Sequence, residues 1–114
     1  MADCLFCAIA NKTIPATIVY EDELVIAFKD INPVTPVHVL LIPKKHIDSL
    51  ATVALEDKEL LGHMLLSVKK VAELLQIDQD GYRLVSNCGE NGGQVVKHLH
   101  FHLLGGKKLG TKLS

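Results

Sequence analysis

Residues 98–104 read His98-Leu99-His100-Phe101-His102-Leu103-Leu104, three of the chain's six histidines at alternate positions with apolar residues between them. In an extended strand, positions i, i+2 and i+4 share one face. The pattern predicts a strand that turns three imidazoles to one side and Leu99, Phe101 and Leu103 to a core on the other. An imidazole is near neutral at pH 7 and serves as nucleophile, general base or metal ligand, so three in register can divide these roles. The plainer alternative is a polar-out strand of an antiparallel sheet whose exposed positions happen to be histidine.

At 114 residues the chain is expected to form one domain, 1–114, large enough for a real core but too short for a second lobe. A net charge of -1 gives no electrostatic argument for nucleic acid or an anionic membrane surface, so a small-molecule partner is expected. No apolar run approaches the roughly 20 residues of a membrane helix, and Met1-Ala2-Asp3-Cys4 does not open a secretory leader. A cytoplasmic location is predicted. Three cysteines argue against a disulfide framework, and Cys4-Leu5-Phe6-Cys7 in that compartment reads as metal-binding or redox-active.

No repeat, low-complexity run or linker interrupts the chain. A short helix is predicted over 5–10, ended by Ile14-Pro15, and a hairpin over 18–20 and 24–28, from its β-branched and aromatic residues around Glu21-Asp22-Glu23. Asn32 to Pro36 is a turn, and Val37 to Ile42 a third strand. From about Glu56 to Gln76, Leu61, Met64, Leu65, Val68, Val71, Ala72 and Leu75 recur at helical spacing behind an acidic first turn. Gly81 breaks the chain, 82–86 is a fourth strand, and a Gly/Asn loop leads into the histidines. The expected fold is α+β: a five-stranded, mainly antiparallel sheet with one long helix and a short N-terminal helix.

Asn87-Cys88-Gly89-Glu90-Asn91-Gly92-Gly93-Gln94 immediately precedes the histidine strand, and glycines let backbone N–H groups approach an anion closely. Gly-Gly alone is usually a turn; beside three histidines it suggests a phosphate cradle. From Gly92 to Leu104 the chain resembles the signature of the histidine-triad (HIT) superfamily, His-x-His-x-His followed by two apolar residues. Ile14-Pro15-Ala16, Ala27 to Pro33, Pro36-Val37-His38, Ile42 to Ile47, Leu60 to His63, Gly81-Tyr82-Arg83 and Leu104-Gly105-Gly106 agree with that family in order and spacing. The Hint type, a homodimeric nucleoside phosphoramidase branch, is the nearest, so a homodimer is implied.

The resemblance implies a two-step reaction in which His100 attacks the α-phosphorus of an adenosine phosphoramidate or acyl adenylate, and water then hydrolyses the AMP-histidine. His102 matches a phosphate contact and a proton-handling group. His38 matches a histidine that supports the nucleophile, and Asn87 with Gly93, Gln94 and Val95 matches the group around the phosphate. Asp30 falls where the family binds ribose hydroxyls, and Ile31 on the nucleoside pocket wall. Phe6, Ile9, Ile14 and Phe28 either complete a slot for the base or are core. Lys44 and Lys45 read as solvated strand-end charges, and His63 as a surface histidine. Val95 stands where Hint proteins commonly carry serine, which leaves help for the leaving group to His102 or a water, or implies a different leaving group.

Cys4 and Cys7 have a spacing at which two thiolates reach one tetrahedral zinc, and two buried small hydrophobes are the alternative. In some bacterial HIT proteins such a pair joins two histidines matching His46 and His98, which implies a structural zinc site here. A dinucleoside polyphosphate hydrolase and a nucleotide-binding module without turnover are the competing functional readings.

Overall fold

The computed structural model describes residues 4–113, so the ends of the expected 1–114 domain lie outside the described residues. The elements run α1 (Leu5–Ala10), β1 (Ile18–Glu21), β2 (Val25–Lys29), β3 (Val37–Pro43), α2 (Lys58–Leu74), β4 (Arg83–Val85) and β5 (Phe101–Gly105). They pair as one five-stranded sheet in the order β1-β2-β3-β5-β4, antiparallel at every junction. This is the α+β architecture expected from the sequence. No helix among the described residues is long and apolar enough to cross a membrane.

Both faces of the sheet are covered, which explains why β2 carries an unbroken buried run, Val25-Ile26-Ala27-Phe28, instead of an alternating one. On one face Val25, Ala27, Val39, Leu41, Leu99, Phe101 and Leu103 pack under Met64, Val68, Val71 and Ala72 of α2. On the other, Ile26, Phe28, Leu40 and Ile42 pack under Phe6 and Ile9 of α1. Of the four apolar residues considered for a base slot, Phe6, Ile9 and Phe28 therefore belong to this second core, while Ile14 is exposed.

The structure departs from the sequence reading at two element starts. Residues Leu55–Asp57 form a separate 3-10 turn and α2 begins at Lys58. Asp57 is the reason: buried, it takes the Ala54 N–H on Oδ2 (2.9 Å) and the Lys45 ammonium on Oδ1 (2.7 Å), closing the turn before the helix. The strand, expected from His98, begins only at Phe101. His98 and Leu99 donate their N–H groups to Val96 (2.9 Å) and Ile47 (2.6 Å), outside the ladder. Across the bend Leu99 still joins the α2 core, but burial is continuous from His98 to Phe101 and alternates only from there on.

Some charges expected to be solvated are tied down. Lys44 pairs with Glu21 at 2.7 Å and Lys45 with Asp57. His63 is half-buried on α2, its Nε2 2.7 Å from Oδ2 of Asp22. Oδ1 of Asp22 accepts the N–H groups of Leu24 and Val25 at 2.8 and 2.9 Å, and Oδ2 the Tyr20 hydroxyl at 2.8 Å. Burial opposes ionisation of Asp22, but these donors outweigh it and hold its carboxyl well below the usual carboxylate range.

Candidate functional site

The histidine face of β5 looks toward α1, and the sheet register decides what meets there. His38 pairs with Leu104 and Leu40 with His102 across the β3 and β5 ladder, so His38 and His102 are diagonal neighbours on one face. His38 Nε2 lies 2.9 Å from His102 Nδ1. Behind it, the backbone N–H of Val34, in the turn before β3, donates to His38 Nδ1 at 3.1 Å. A neutral imidazole has one N–H, so with Nδ1 accepting, its proton sits on Nε2. His38 thus donates to His102 Nδ1, and His102 in turn carries its proton on Nε2.

The same logic fixes His100, whose ring lies 5.1 Å from that of His102. Its Nδ1 is 2.7 Å from the His98 carbonyl, which accepts a proton and leaves Nε2 with its lone pair. Phe6 packs edge-on against the His100 ring at 5.1 Å. His100 and His38 are buried and His102 is partly so. Burial, with the His100 and His38 imidazoles close by, pushes His102 below the ordinary imidazole range, while Asp30 acts against the shift. Asp30 accepts the Asn32 N–H on Oδ1 (2.8 Å) and places Oδ2 3.3 Å from His38 Nε2.

Asp30, His38 and His102 lie close enough to hold a metal by distance alone. The Val34 amide argues against it, because an ion on His38 Nε2 would need the ring's proton on Nδ1, where an N–H already points. From Val34 through His38 to His102 runs a chain of oriented hydrogen bonds, with Asp30 Oδ2 alongside it.

The second cluster has the opposite chemistry. Cys4, Cys7, His46 and His98 bring one ligand atom each within 4.8 Å of one another. Cys4 Sγ is 3.3 Å and Cys7 Sγ 3.5 Å from His98 Nδ1, and Cys7 Sγ is 3.3 Å from His46 Nδ1. The edges of a tetrahedron with Zn–S and Zn–N bonds of ordinary length are about 3.5 Å, so the donor set fits an ion of that size. The outer nitrogens are held as metal-bound imidazoles usually are, His46 Nε2 by Asp48 Oδ1 (2.7 Å) and His98 Nε2 by the Pro43 carbonyl (2.8 Å). His98 is 0% exposed, and burial pushes it below the ordinary imidazole range, keeping it neutral. Burial and the neighbouring Cys4 push the Cys7 thiol up, a cost that a cation between the sulfurs would reverse.

The Gly/Asn loop stands beside this chemistry with most of its side chains engaged. Asn87 Nδ2 donates to the Gly92 carbonyl at 2.7 Å. Gln94 accepts the Gly89 N–H at 2.9 Å and donates to the carbonyls of Asp48 (2.6 Å) and Val96 (3.0 Å). Its side chain pins the loop, and the Gly93 and Gln94 N–H groups close on the Glu90 and Gly89 carbonyls, each at 3.0 Å, so at the end of the loop the Val95 N–H is the donor left over among the described residues. Gly93 has φ of 77°, which favours glycine. Val95 and Ile31 are 91% and 92% exposed. The Val34 amide, the Pro43 carbonyl and the Asp30 contact with His38 had no signal in the sequence; Asp48, two residues past His46, had a weak one.

The family model for the HIT domain matches residues 11–109. A protein called HitA from Neisseria gonorrhoeae is 51% identical over 105 residues, 92% of this chain and 97% of that protein. A purine nucleoside phosphoramidase of Escherichia coli (strain K12) is 46% identical over 110 residues, 96% of this chain and 92% of the relative. The solved structure of a HIT family hydrolase from Clostridium thermocellum superposes with a TM-score of 0.97 at 49% identity, covering 100% of this chain and 99% of that one. With the family model matched over most of its length and relatives matched nearly end to end, the chain belongs to the histidine-triad (HIT) family and is a hydrolase of that family.

Proposed function

We propose that this chain, acting over 1–114 as one HIT domain, releases AMP or another purine nucleoside monophosphate from phosphoramidates or acyl adenylates through a covalent nucleotidyl-histidine. The observation that carries this is the fixed tautomer of His100: Nδ1–H on the His98 carbonyl leaves Nε2 as a nucleophile in a buried site. In the first step Nε2 attacks the α-phosphorus and the P–N or P–O bond to the leaving group breaks. A leaving amine takes its proton from water, and a leaving carboxylate needs none. In the second step water attacks phosphorus, the bond to Nε2 breaks, and AMP departs.

His102 donates its Nε2–H to a phosphoryl oxygen as charge develops there, and His38 holds it in the tautomer that does so. The Val95 N–H, at the end of the loop that Asn87, Gly93 and Gln94 order, supplies a further donor. Asp30 takes ribose hydroxyls and Ile31 flanks the nucleoside. Zinc is the ion best suited to Cys4, Cys7, His46 and His98; as a closed four-ligand set it braces α1 against the sheet, and the reaction does not pass through it. The exposed Leu65, Leu66 and Leu74 of α2 and the unpaired outer edge of β4 support a homodimer. Three free cysteines, two of them set as metal ligands, support a reducing cytoplasmic setting.

The test compares hydrolysis of an AMP-lysine-type phosphoramidate and of a diadenosine polyphosphate by wild-type and His100→Ala protein. Phosphoramidate turnover that disappears in the variant is expected. Turnover of the dinucleotide alone would transfer the assignment to a dinucleoside polyphosphate hydrolase, a reading that Val95 in place of serine favours. Binding without turnover of either would make the chain a nucleotide-binding module.

A further inference from the structure

Cys4 is the N-cap of α1 and Cys7 stands three residues on, inside the helix. The Cys7 N–H donates to Cys4 Sγ at 3.3 Å, so a sulfur makes the cap. Both thiols point the same way, to His98 Nδ1, at 3.3 and 3.5 Å. The two sulfurs lie within 4.8 Å of each other, against about 2.05 Å in a disulfide. A change of one rotamer moves a sulfur by about 3 Å, the scale of that gap. Both cysteines are partly exposed while His98 is fully buried, so a small oxidant reaches the sulfurs from solvent and meets a closed wall behind them.

We propose that Cys4 and Cys7 are a site of reversible oxidation by peroxide, closing to a disulfide that excludes the metal-bound state. One thiolate attacks a peroxide oxygen, the O–O bond breaks, a sulfenic acid forms and hydroxide leaves. The other thiolate attacks that sulfur, the S–S bond forms and a second hydroxide leaves. Two electrons pass from the sulfurs to hydrogen peroxide, two protons come from solvent, and the products are the disulfide and two waters. Sulfurs bonded to each other no longer carry the charge that holds a cation, so an ion in the four-ligand set is released. His46 and His98 lose the thiols that face their Nδ1 atoms. Phe6 lies between the two cysteines and packs edge-on against His98 at 6.0 Å and His100 at 5.1 Å, so closure of the turn reaches the His100 ring. Ion release rests on the zinc reading above; the disulfide does not.

The experiment treats zinc-loaded wild-type protein with hydrogen peroxide and follows free thiols, zinc captured by a chromogenic chelator, and the ring resonances of His100. Free thiols are expected to fall from three to one, leaving Cys88, as one zinc per chain is released. Peptide mapping is expected to place the new link between Cys4 and Cys7, and a dithiol reductant with added zinc to restore both thiols and the ion. The His100 resonances are expected to move on oxidation and return on reduction. Cys88→Ser is expected to leave the reaction unchanged.

Zinc release with both thiols still free overturns the proposal, and so does oxidation of Cys4 or Cys7 to sulfinic acid without a disulfide. His100 resonances that stay in place in the oxidised chain refute the link to that ring. The same titration on protein stripped by a chelator separates the two readings. A Cys4 to Cys7 disulfide in a chain that takes up no zinc supports the oxidation site and overturns the zinc reading, whereas zinc uptake with no disulfide in either form does the reverse.

Discussion

The backbone amide of Val34 sets the proton positions of two imidazoles that lie beyond it, and so decides which of their ring nitrogens carry a proton. Replacing His100 by alanine is expected to lower turnover by at least about 10³-fold, since no other ring has a bare Nε2 beside the same carbonyl. His102→Ala is expected to cost about 10²- to 10³-fold in kcat with a smaller change in KM, as fits a donor that strengthens in the transition state. A larger effect on KM than on kcat would show that His102 serves ground-state binding. Gly92→Ala tests the loop: a Cβ there would stand 2.4 Å from the Cys88 carbonyl oxygen, backbone that cannot yield alone. A stability loss of about 1–3 kcal/mol in chemical denaturation is expected, with weaker nucleotide binding. At this scale His98, His100 and His102 were legible because alternation is local. Their partners were not, because a peptide N–H or carbonyl has no sequence identity.

At the scale of elements, α1 is a six-residue helix that would not persist alone. Its two thiols meet His46 and His98, while Phe6 between them packs against both His98 and His100. The Cys4, Cys7, His46 and His98 cluster and the His100 ring are thus braced by the same turn of helix. Cys4→Ser, or stripping the ion with a chelator, is expected to lower the Tm by on the order of 10 °C and to remove zinc from the purified protein. An unchanged Tm with no zinc in the wild type would leave the thiols as packing residues. Asp48→Ala, which frees His46 Nε2, is expected to weaken metal affinity about 10- to 100-fold. The helix and strand order followed from periodicity and proline, but element starts did not. Asp57 ends a turn by reaching back to Ala54, and His98 leaves the ladder because its ring is committed to the thiols and Pro43.

For the molecule as a whole, burial places two imidazoles, His98 and His102, below their ordinary pKa. The folded chain then binds fewer protons than the unfolded one in the window just below the unfolded value of about 6.5. Stability contributed by these groups is present above that pH and is lost as pH falls through the folded values. The Tm is expected to drop between pH 7.5 and 5, and His102→Asn to flatten part of that slope; a Tm independent of pH over this range would contradict the burial account. The outer face of α2 and the edge of β4 predict a dimer in sedimentation equilibrium, and Leu66→Glu is expected to shift it toward monomer while leaving the fold intact.

By itself the sequence determined the α+β class, the element order, which residues face a core, and the chemical types gathered near the C-terminus. These are local properties, written in periods of two and 3.6 residues and in motif spacing. The tertiary structure decided how the histidines divide. His98 goes to the thiols of α1, His100 to a carbonyl, and His102 to His38, with Asp30 alongside. That division depends on strand register and on backbone groups brought together from residues up to 94 positions apart, contacts that no short-range pattern encodes.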